Sequence, residues 1–203
     1  MEQLNNILGI YCATNGFKIA LICNQKVQEH TSTEQTSDNL VPKIMEMLSK
    51  AKIQAKDLNT LCVCVGPGSF TGDRIAVSFA KGLKVALPNL KVVPFTSFDF
   101  ISHNTNATTA LIPAFSNLVY VQHNGQQSCI PFSDAFNGGR VVAFADTFQK
   151  WNKGTYVQPN TNFAQFIEHI STNAGVPLSD LHPIYLRASQ AEIEREKKLN
   201  SNK

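Results

Sequence analysis

Residues 60–94 read TLCVCVGPGSFTGDRIAVSFAKGLKVALPNLKVVP, the most informative part of the sequence for the class of fold. Its apolar start, residues 60–65, has the length of a buried strand, and residues 91–94 predict a second strand. Between them lie a glycine-rich turn and a helix pattern over residues 73–87. A strand, a turn, a helix and a strand of this length form a parallel crossover. The stretch therefore predicts an α/β fold.

The chain before this stretch contains three short apolar runs and one amphipathic segment. The runs, residues 7–13, 18–23 and 26–31, are joined by turns too short for a parallel return, so they predict an antiparallel meander. Residues 40–51 predict a helix, because their apolar positions recur on one face about 160° wide. The first hundred residues thus predict a mixed sheet with three antiparallel and two parallel strands, covered by helices.

The second half of the chain predicts further strands and one helix. The helix spans residues 162–174, where apolar side chains recur on one face. Candidate strands lie at residues 108–112, 118–122, 127–132 and 140–144. Residues 188–203 are charged and polar, which predicts a solvated end. No internal repeat is visible in the sequence.

Composition narrows the class of protein. The 203 residues are 43% hydrophobic and 16% charged, which excludes an intrinsically disordered chain. Eighteen basic and fifteen acidic residues leave a net charge of +3, which neither demands nor excludes a nucleic-acid partner. The cysteines are scattered and odd in number, and the sequence contains neither a leader pattern nor an apolar run long enough to span a membrane. These features predict a soluble cytoplasmic protein without membrane contact.

The glycine-rich turn, GPGSFTG at residues 66–72, has the strand-to-helix position of many phosphate-binding loops. It is not a P-loop, because Asp73 and Arg74 follow it instead of Lys and Ser or Thr, and its spacing differs from a dinucleotide loop. The carboxylate of Asp73 also occupies the positive end of the helix. We favour a structural loop whose glycines allow close packing, formed by Gly66, Gly68, Ser69, Gly72 and Arg74.

The second predicted helix carries more apolar surface than one contact with a sheet requires. One strip consists of Ile75, Phe79, Gly82 and Ala86, and another of Ala76, Ala80, Leu83 and Leu87. Small residues let another helix approach closely. The pattern indicates a helix-pair interface with another chain, while cover by the second half of the same chain fits equally well. The sequence pattern is compatible with either strip facing away from the sheet, toward a partner. The candidate interface residues are Leu40, Ile44, Met47, Leu48, Ile75, Phe79, Gly82, Leu83 and Ala86.

Residues that could carry catalysis or bind a metal are sparse. The histidines are dispersed, and no pair of histidines or cysteines has the spacing of a common metal site. Ser69 lacks the flanking glycines of a hydrolase nucleophile elbow. An actin-like phosphotransferase needs an acid near the end of its first strand to hold magnesium and nucleotide, and this strand ends Ile10-Tyr11-Cys12. We predict no catalytic residue, no metal site and no cofactor.

One segment resembles a known family closely. Val63-Cys64-Val65, then GPGSFTG, then DRIAVSFAKGL up to Leu83 is similar to the hallmark segment of the TsaB family, also called YeaZ. Weaker similarities support the match elsewhere, at residues 7–14, 39–44, 119–120 and 183–187. The chain departs from the family pattern at the end of the first strand, where Tyr11 and Cys12 replace Asp-Thr, and after the loop, where Asp73 replaces an apolar residue. It also departs before the first helix, at Thr36-Ser37, and in the second lobe, at residues 113–115.

The resemblance implies a two-lobed actin-like ATPase fold of the ribonuclease-H-like type, with mixed sheets flanked by helices and a reduced second lobe. The first lobe would comprise residues 1–100, the shortened second lobe residues 101–187, and the charged tail residues 188–203. It further implies a non-catalytic scaffold or activator in the complex that adds threonylcarbamoyl to the adenosine next to the tRNA anticodon.

The partners that this family implies are a TsaD-type catalytic subunit, paired through the first-lobe helices, and a small TsaE-type ATPase. The chain would self-associate when alone, and the complex as a whole would contact tRNA more than this chain does. Two other functions stay open. One is a small ATP-dependent phosphotransferase of the actin-like superfamily that uses the loop Gly66–Gly72. The other is a metallopeptidase, for which the sequence offers no ligand pair.

Overall fold

The computed structural model describes residues 5–135, 139–144, 155–159 and 161–187, and these residues form two five-stranded sheets. The first sheet contains an antiparallel meander of three strands, with β4 parallel to β1 and β5 parallel to β4. Its order is β3-β2-β1-β4-β5, which confirms the predicted mixed sheet. The strands are β1 (Ile7–Tyr11), β2 (Phe17–Cys23), β3 (Lys26–Ser32), β4 (Thr60–Cys64) and β5 (Lys91–Phe95).

The second sheet repeats this topology. Three strands again form an antiparallel meander, followed by two parallel strands, in the order β10-β9-β6-β7-β8. The two sheets share this topology although the sequence shows no repeat. Topology depends on the order of apolar runs and turns, and this order does not require identical residues. The strands are β6 (Thr109–Pro113), β7 (Leu118–His123), β8 (Gln126–Pro131), β9 (Arg140–Ala143) and β10 (Thr155–Val157).

Helices cover both faces of the first sheet. On one face, α1 (Thr36–Ala51) and α2 (Phe70–Ala86) pack against side chains such as Leu8 and Ile10. On the other, α4 (Phe163–Ile170) packs against β1, β2 and β3, so a helix from late in the chain completes the first sheet. Alternate residues of β1 point to opposite faces, as in any strand, and each face meets its own core.

The short helix α3 (Ser97–Ser102) is an element that the sequence did not predict. Its Thr96 and Asp99 form a capping box, in which each side chain accepts a hydrogen bond from the other residue's backbone N–H. Phe100 of this helix meets Phe163 and Phe166 of α4, with ring centroids 5.2 and 5.3 Å apart. This aromatic cluster joins α3 and α4 to the first sheet.

Two helices begin earlier than predicted. α1 starts at Thr36 instead of residue 40, and α2 starts at Phe70 instead of residue 73, because Ser69 caps it. The predicted helix at 162–174 ends at Ile170. The predicted tail at 188–203 lies outside the described residues, and the division of the chain at residue 100 stays a prediction. No helix in the described ranges has the length and apolarity to cross a bilayer.

Candidate partner surface and cleft

The inner face of α1 belongs to the chain's own core. The four candidate interface residues of this helix are at most 5% exposed and pack in the core beneath the first sheet: Leu40, Ile44, Met47 and Leu48. They form one stripe at helical spacing, and a helix on a sheet buries this stripe first. The prediction that these four contact a partner is therefore wrong. The side chains that α1 leaves exposed are Val41 and Met45, at 47% and 58%.

Burial also decides which strip of α2 faces outward. Ala76 and Ala80 are fully buried against the sheet, while Leu83 and Leu87 lie partly buried at its margin. The other strip is open to solvent to a much larger degree, with Gly82 and Ala86 exposed and Ile75 and Phe79 half-buried. Val85, which the sequence did not single out, is 69% exposed. We name the outward apolar residues of α1 and α2 the outer helix surface: Val41, Met45, Ile75, Phe79, Gly82, Val85 and Ala86.

Gly82 leaves a gap in this surface. Apart from its own helix, a Cβ atom at Gly82 would have no atom of the described residues within 4 Å. Packing within the described part of the molecule therefore leaves room for a side chain at position 82. Glycine is nevertheless present there, although it destabilises a helix interior by about 1 kcal/mol relative to alanine. A small residue on an exposed apolar face is what close approach of a second helix requires.

The glycines of the turn are required by packing inside the chain. A Cβ atom at Gly68 would lie 2.1 Å from the carbonyl oxygen of Ala13, and one at Gly72 would lie 1.9 Å from that of Cys12. The backbone N–H of Ser69 donates to the Ala13 carbonyl at 2.7 Å. Gly66 has a φ of +97°, which favours glycine. The turn is thus pressed against the end of the first strand, and these contacts account for its glycines without a ligand.

The start of α2 is capped by the turn itself. The hydroxyl of Ser69 accepts a hydrogen bond from the backbone N–H of Gly72 at 3.2 Å. The guanidinium of Arg74 lies over the ring of Phe70, 5.2 Å from its centroid. Both side chains therefore act within the turn and the first helical turn.

Replacing Ser69 by alanine is expected to destabilise the protein by about 1 kcal/mol, because the Gly72 N–H loses its acceptor. Urea denaturation of the wild type and Ser69→Ala measures this difference. The control is Ser49→Ala, an exposed serine inside α1, for which no loss is expected. Equal stability of Ser69→Ala and the wild type would show that the cap contributes nothing.

Asp73 is a buried carboxyl group without a basic partner in the described residues. The side chain is 3% exposed, and its Oδ1 atom is buried without a hydrogen bond in this part of the chain. Burial raises the pKa of the Asp73 carboxyl to about 7, because the charged form loses its hydration. The carboxyl group therefore stays protonated at mildly acidic pH, where an ordinary aspartate has already ionised.

This pKa predicts that stability falls as the pH rises. Between about pH 4 and 7 the folded state keeps a proton on Asp73 that the unfolded state releases, so ionisation favours unfolding. We expect the melting temperature of the wild type to decrease relative to that of Asp73→Asn over this interval, by several degrees in total. Thermal melts of both proteins from pH 4 to 8 test this. A difference between them that does not change with pH would contradict the assignment.

The cysteines of β4 are core residues. Cys62 and Cys64 lie in the same core cluster, as their alternation predicts, and both are fully buried. The Cys62 thiol points to the carbonyl of Ile167 at 3.9 Å, and the Cys64 thiol lies 3.5 Å from the hydroxyl of Ser97. Burial raises the pKa of the Cys62 thiol to about 12, which disfavours a thiolate at neutral pH.

A cleft of about 960 Å³ opens beside the glycine-rich turn. It is lined by the β1–β2 hairpin at residues 13–15, the start of α2, the β6–β7 connection at residues 113–115 and the segment 184–187. No sequence pattern indicates this cleft, because its walls come from stretches that lie far apart along the chain. Three large aromatic residues of its lining are exposed: Phe115 at 69%, Tyr185 at 51% and Phe70 at 39%.

Two sheets of the same mixed topology, with helices on the first and a glycine-rich turn packed on its first strand, define the two-lobed actin-like fold of the ribonuclease-H-like type. Residues 25–146, more than half of the chain, match the family model described as TsaD, tRNA N6-adenosine threonylcarbamoyltransferase. The chain belongs to this family, and within it to the TsaB (YeaZ) proteins.

Individual relatives are similar over part of their length. The tRNA threonylcarbamoyladenosine biosynthesis protein TsaB of Buchnera aphidicola (subsp. Acyrthosiphon pisum) is 33% identical over 87 residues, which are 41% of this chain and 38% of that protein. TsaB of Escherichia coli is 29% identical over 112 residues, 53% of this chain and 48% of that protein. The matched stretch thus spans less than half of either relative. YeaZ from Pseudomonas aeruginosa has the same fold, with a TM-score of 0.70 at 18% identity, over 90% of this chain and all of that structure.

Proposed function

We propose that this protein is a non-catalytic subunit of the cytoplasmic machinery for tRNA threonylcarbamoyladenosine biosynthesis. It pairs with a TsaD-type catalytic subunit, which carries out the transfer. The names of its relatives support this biosynthetic role. The observation that carries the proposal is the outer helix surface, an exposed apolar face on two neighbouring helices with a gap at Gly82.

The shape and composition of this surface support pairing with another helix pair. Val41, Met45 and Val85 are all more than 45% exposed, and they lie on helices that pack against each other. Grouped exposed apolar side chains on a soluble protein are typical of protein interaction sites. The absence of a side chain at Gly82 lets a partner helix approach the backbone of α2, as in helix pairs with small residues at the crossing point.

The end of the first strand supports a non-catalytic role. Where a nucleotide-dependent phosphotransferase holds its magnesium-binding acid, this chain has Tyr11, which is fully buried in the core. The N-terminus of α2, a common phosphate-binding position, is capped by the hydroxyl of Ser69. Both features support a protein that binds its partner through the outer helix surface, while the TsaD-type subunit catalyses the threonylcarbamoyl transfer.

The remaining partners follow from the same proposal. A TsaE-type ATPase joins the pair, and the complex binds tRNA mainly through its other subunits. In the absence of the catalytic subunit, the outer helix surface pairs with a second copy of itself, because exposed apolar area remains unfavourable in water. Self-association and pairing with the TsaD-type subunit are then mutually exclusive.

Size-exclusion chromatography with light scattering tests the pairing. The protein is run alone, over a range of concentrations, and then mixed with the TsaD-type subunit of the same organism. The proposal predicts a homodimer alone and a heterocomplex in the mixture, without magnesium-dependent ATP turnover by this chain alone. A protein that stays monomeric and ignores the TsaD-type subunit would contradict it. ATP turnover by the single chain would instead favour the phosphotransferase alternative.

A further inference from the structure

The outward side of α2 carries a polar stripe beside the outer helix surface. Its four side chains follow one another at the spacing of helix neighbours, and three of them are basic. We name them the basic stripe: Arg74, Ser78, Lys81 and Lys84. Lys81 lies one helical turn before Val85, whose side chain is 69% exposed in the outer helix surface. The basic stripe therefore borders the apolar surface proposed for the partner.

No carboxylate of the described residues forms an ion pair with the basic stripe. The ion pairs on these two helices are both made by Glu46, which belongs to α1. The ammonium group of Lys84 donates to two backbone carbonyls just after α2, at 2.6 and 2.7 Å, and Arg74 lies over an aromatic ring. These contacts position both side chains without cancelling their charge. The stripe thus presents positive charge to the protein that faces α2.

The polar side of α1 adds one further positive charge. The carboxylate of Glu46 accepts hydrogen bonds from the ammonium groups of Lys43 and Lys50, each at 2.6 Å. One carboxylate beside two ammonium groups leaves an excess of one positive charge. With the buried Asp73 counted as charged, α1 and α2 together carry five basic and three acidic side chains, which is +2 of the chain's net charge of +3. Most of the positive excess of the protein is therefore concentrated on these two helices.

This charge opposes pairing with a second copy of the chain. A two-fold pair presents the same patch from both sides, so the basic borders of the two copies meet each other. Their repulsion acts over about 10 Å at 0.1 M salt and is screened at higher salt. Burial of the apolar side chains still favours the self-pair. Self-association is therefore the weaker mode at low salt, and a partner with negative charge at the same positions avoids the repulsion.

We propose that the outer helix surface selects a helix pair whose polar border is acidic, with carboxylates opposite the basic stripe. The inference rests on the proposed function and specifies the chemistry of the partner's contact face. The apolar side chains and the gap at Gly82 provide the close contact. Opposite charge at the border accelerates association, and like charge disfavours the wrong partner. Charge thus decides between the catalytic subunit and a second copy, which compete for the same apolar face.

Salt is expected to act in opposite directions on the two kinds of pair. Light scattering measures self-association, and surface plasmon resonance measures binding of the TsaD-type subunit, both at low and at high sodium chloride concentration. Between about 0.05 and 0.5 M salt, the dissociation constant of the heterocomplex should rise about tenfold, mainly through slower association. That of the self-pair should fall by a few-fold, because salt screens the repulsion between the two basic borders.

Charge reversal at Lys81 tests the basic stripe itself. We expect Lys81→Glu to weaken the heterocomplex about tenfold or more at low salt and much less at high salt, because it places like charges opposite each other. The same variant should strengthen the self-pair, in which glutamate then faces lysines of the other copy. Lys81→Arg keeps the charge and should pair like the wild type. The control is Arg140→Glu, which changes the net charge equally at an exposed position of β9 in the second sheet and should pair normally.

A charge exchange completes the test. Acidic residues on the contact helices of the TsaD-type subunit are replaced one at a time by lysine, and at least one replacement should restore binding of Lys81→Glu. The inference is overturned if the heterocomplex has the same affinity at both salt concentrations, if Lys81→Glu binds like the wild type at low salt, or if no exchange restores its binding. In each of these cases the wild-type pair still forms, so the proposed function stands. A wild type that forms no heterocomplex at either salt concentration overturns both.

Discussion

Gly82→Leu is expected to abolish complex formation with the TsaD-type subunit while leaving the protein folded. The side chain would project from the middle of the outer helix surface into the space that the partner helix occupies, and overlap with a close-packed helix cannot be relieved by small shifts. Within the described residues a Cβ atom at Gly82 has no neighbour within 4 Å outside its own helix, so the new side chain starts into open space. Light scattering on the mixture measures the loss, at concentrations where the wild type is fully bound.

Two comparisons separate this effect from a general loss of structure. The melting temperature of Gly82→Leu should equal or exceed that of the wild type, because leucine favours a helix more than glycine does. Glu168→Leu adds the same side chain to an exposed position of α4, on the opposite face of the first sheet, and should pair normally. Normal pairing of Gly82→Leu would show that α2 is not at the interface.

Gly72→Ala is expected to destabilise the protein by about 4 kcal/mol or more, the largest effect of any single methyl group in the turn. The added carbon would lie 1.9 Å from the carbonyl oxygen of Cys12, the residue directly after β1, which cannot move without disturbing the end of that strand. For a protein of this size, such a loss lowers the melting temperature by about 10 °C. Urea denaturation followed by circular dichroism measures it.

Gly82→Ala is the matched control for this change. It makes the same chemical substitution in the same helix, but at a position with open space around it. We expect it to stabilise the protein by roughly 0.5–1 kcal/mol, because alanine restricts the unfolded chain and favours the helix. If both substitutions had the same small effect, the packing of the turn against the first strand would not limit stability.

The fold was predictable where each element has its own local signal. The meander β1–β3 follows from short turns between apolar runs, and the crossover through α2 follows from the length of the connection. The helix α3 has six residues and β10 has three, too few for periodicity to distinguish them from loops. The family resemblance came from one contiguous segment, which is why the sequence alone revealed it.

The partner surface was predicted only in part, because a helical pattern gives the width of an apolar face and not its direction. In α1 the four strongest apolar positions cover the sheet, and the free surface falls on Val41 and Met45. In α2, Ala76 and Ala80 face the sheet, whereas Gly82 and Ala86 face outward. The cleft was not predictable, because it brings Asp73 and Phe115 together with the segment 184–187 through the tertiary fold. Likewise, nothing local indicates that Asp73 is buried.

Reconstitution of threonylcarbamoyladenosine formation on tRNA tests whether this protein is a required, non-catalytic subunit. The modified nucleoside is quantified with the TsaD-type and TsaE-type subunits and the threonylcarbamoyl donor, in the presence and absence of this protein, and with this protein as the sole subunit. We predict modification only when this protein and the TsaD-type subunit are both present, and its loss with Gly82→Leu. Modification that proceeds unchanged without this protein, or that this protein performs alone, would contradict its role as a non-catalytic subunit.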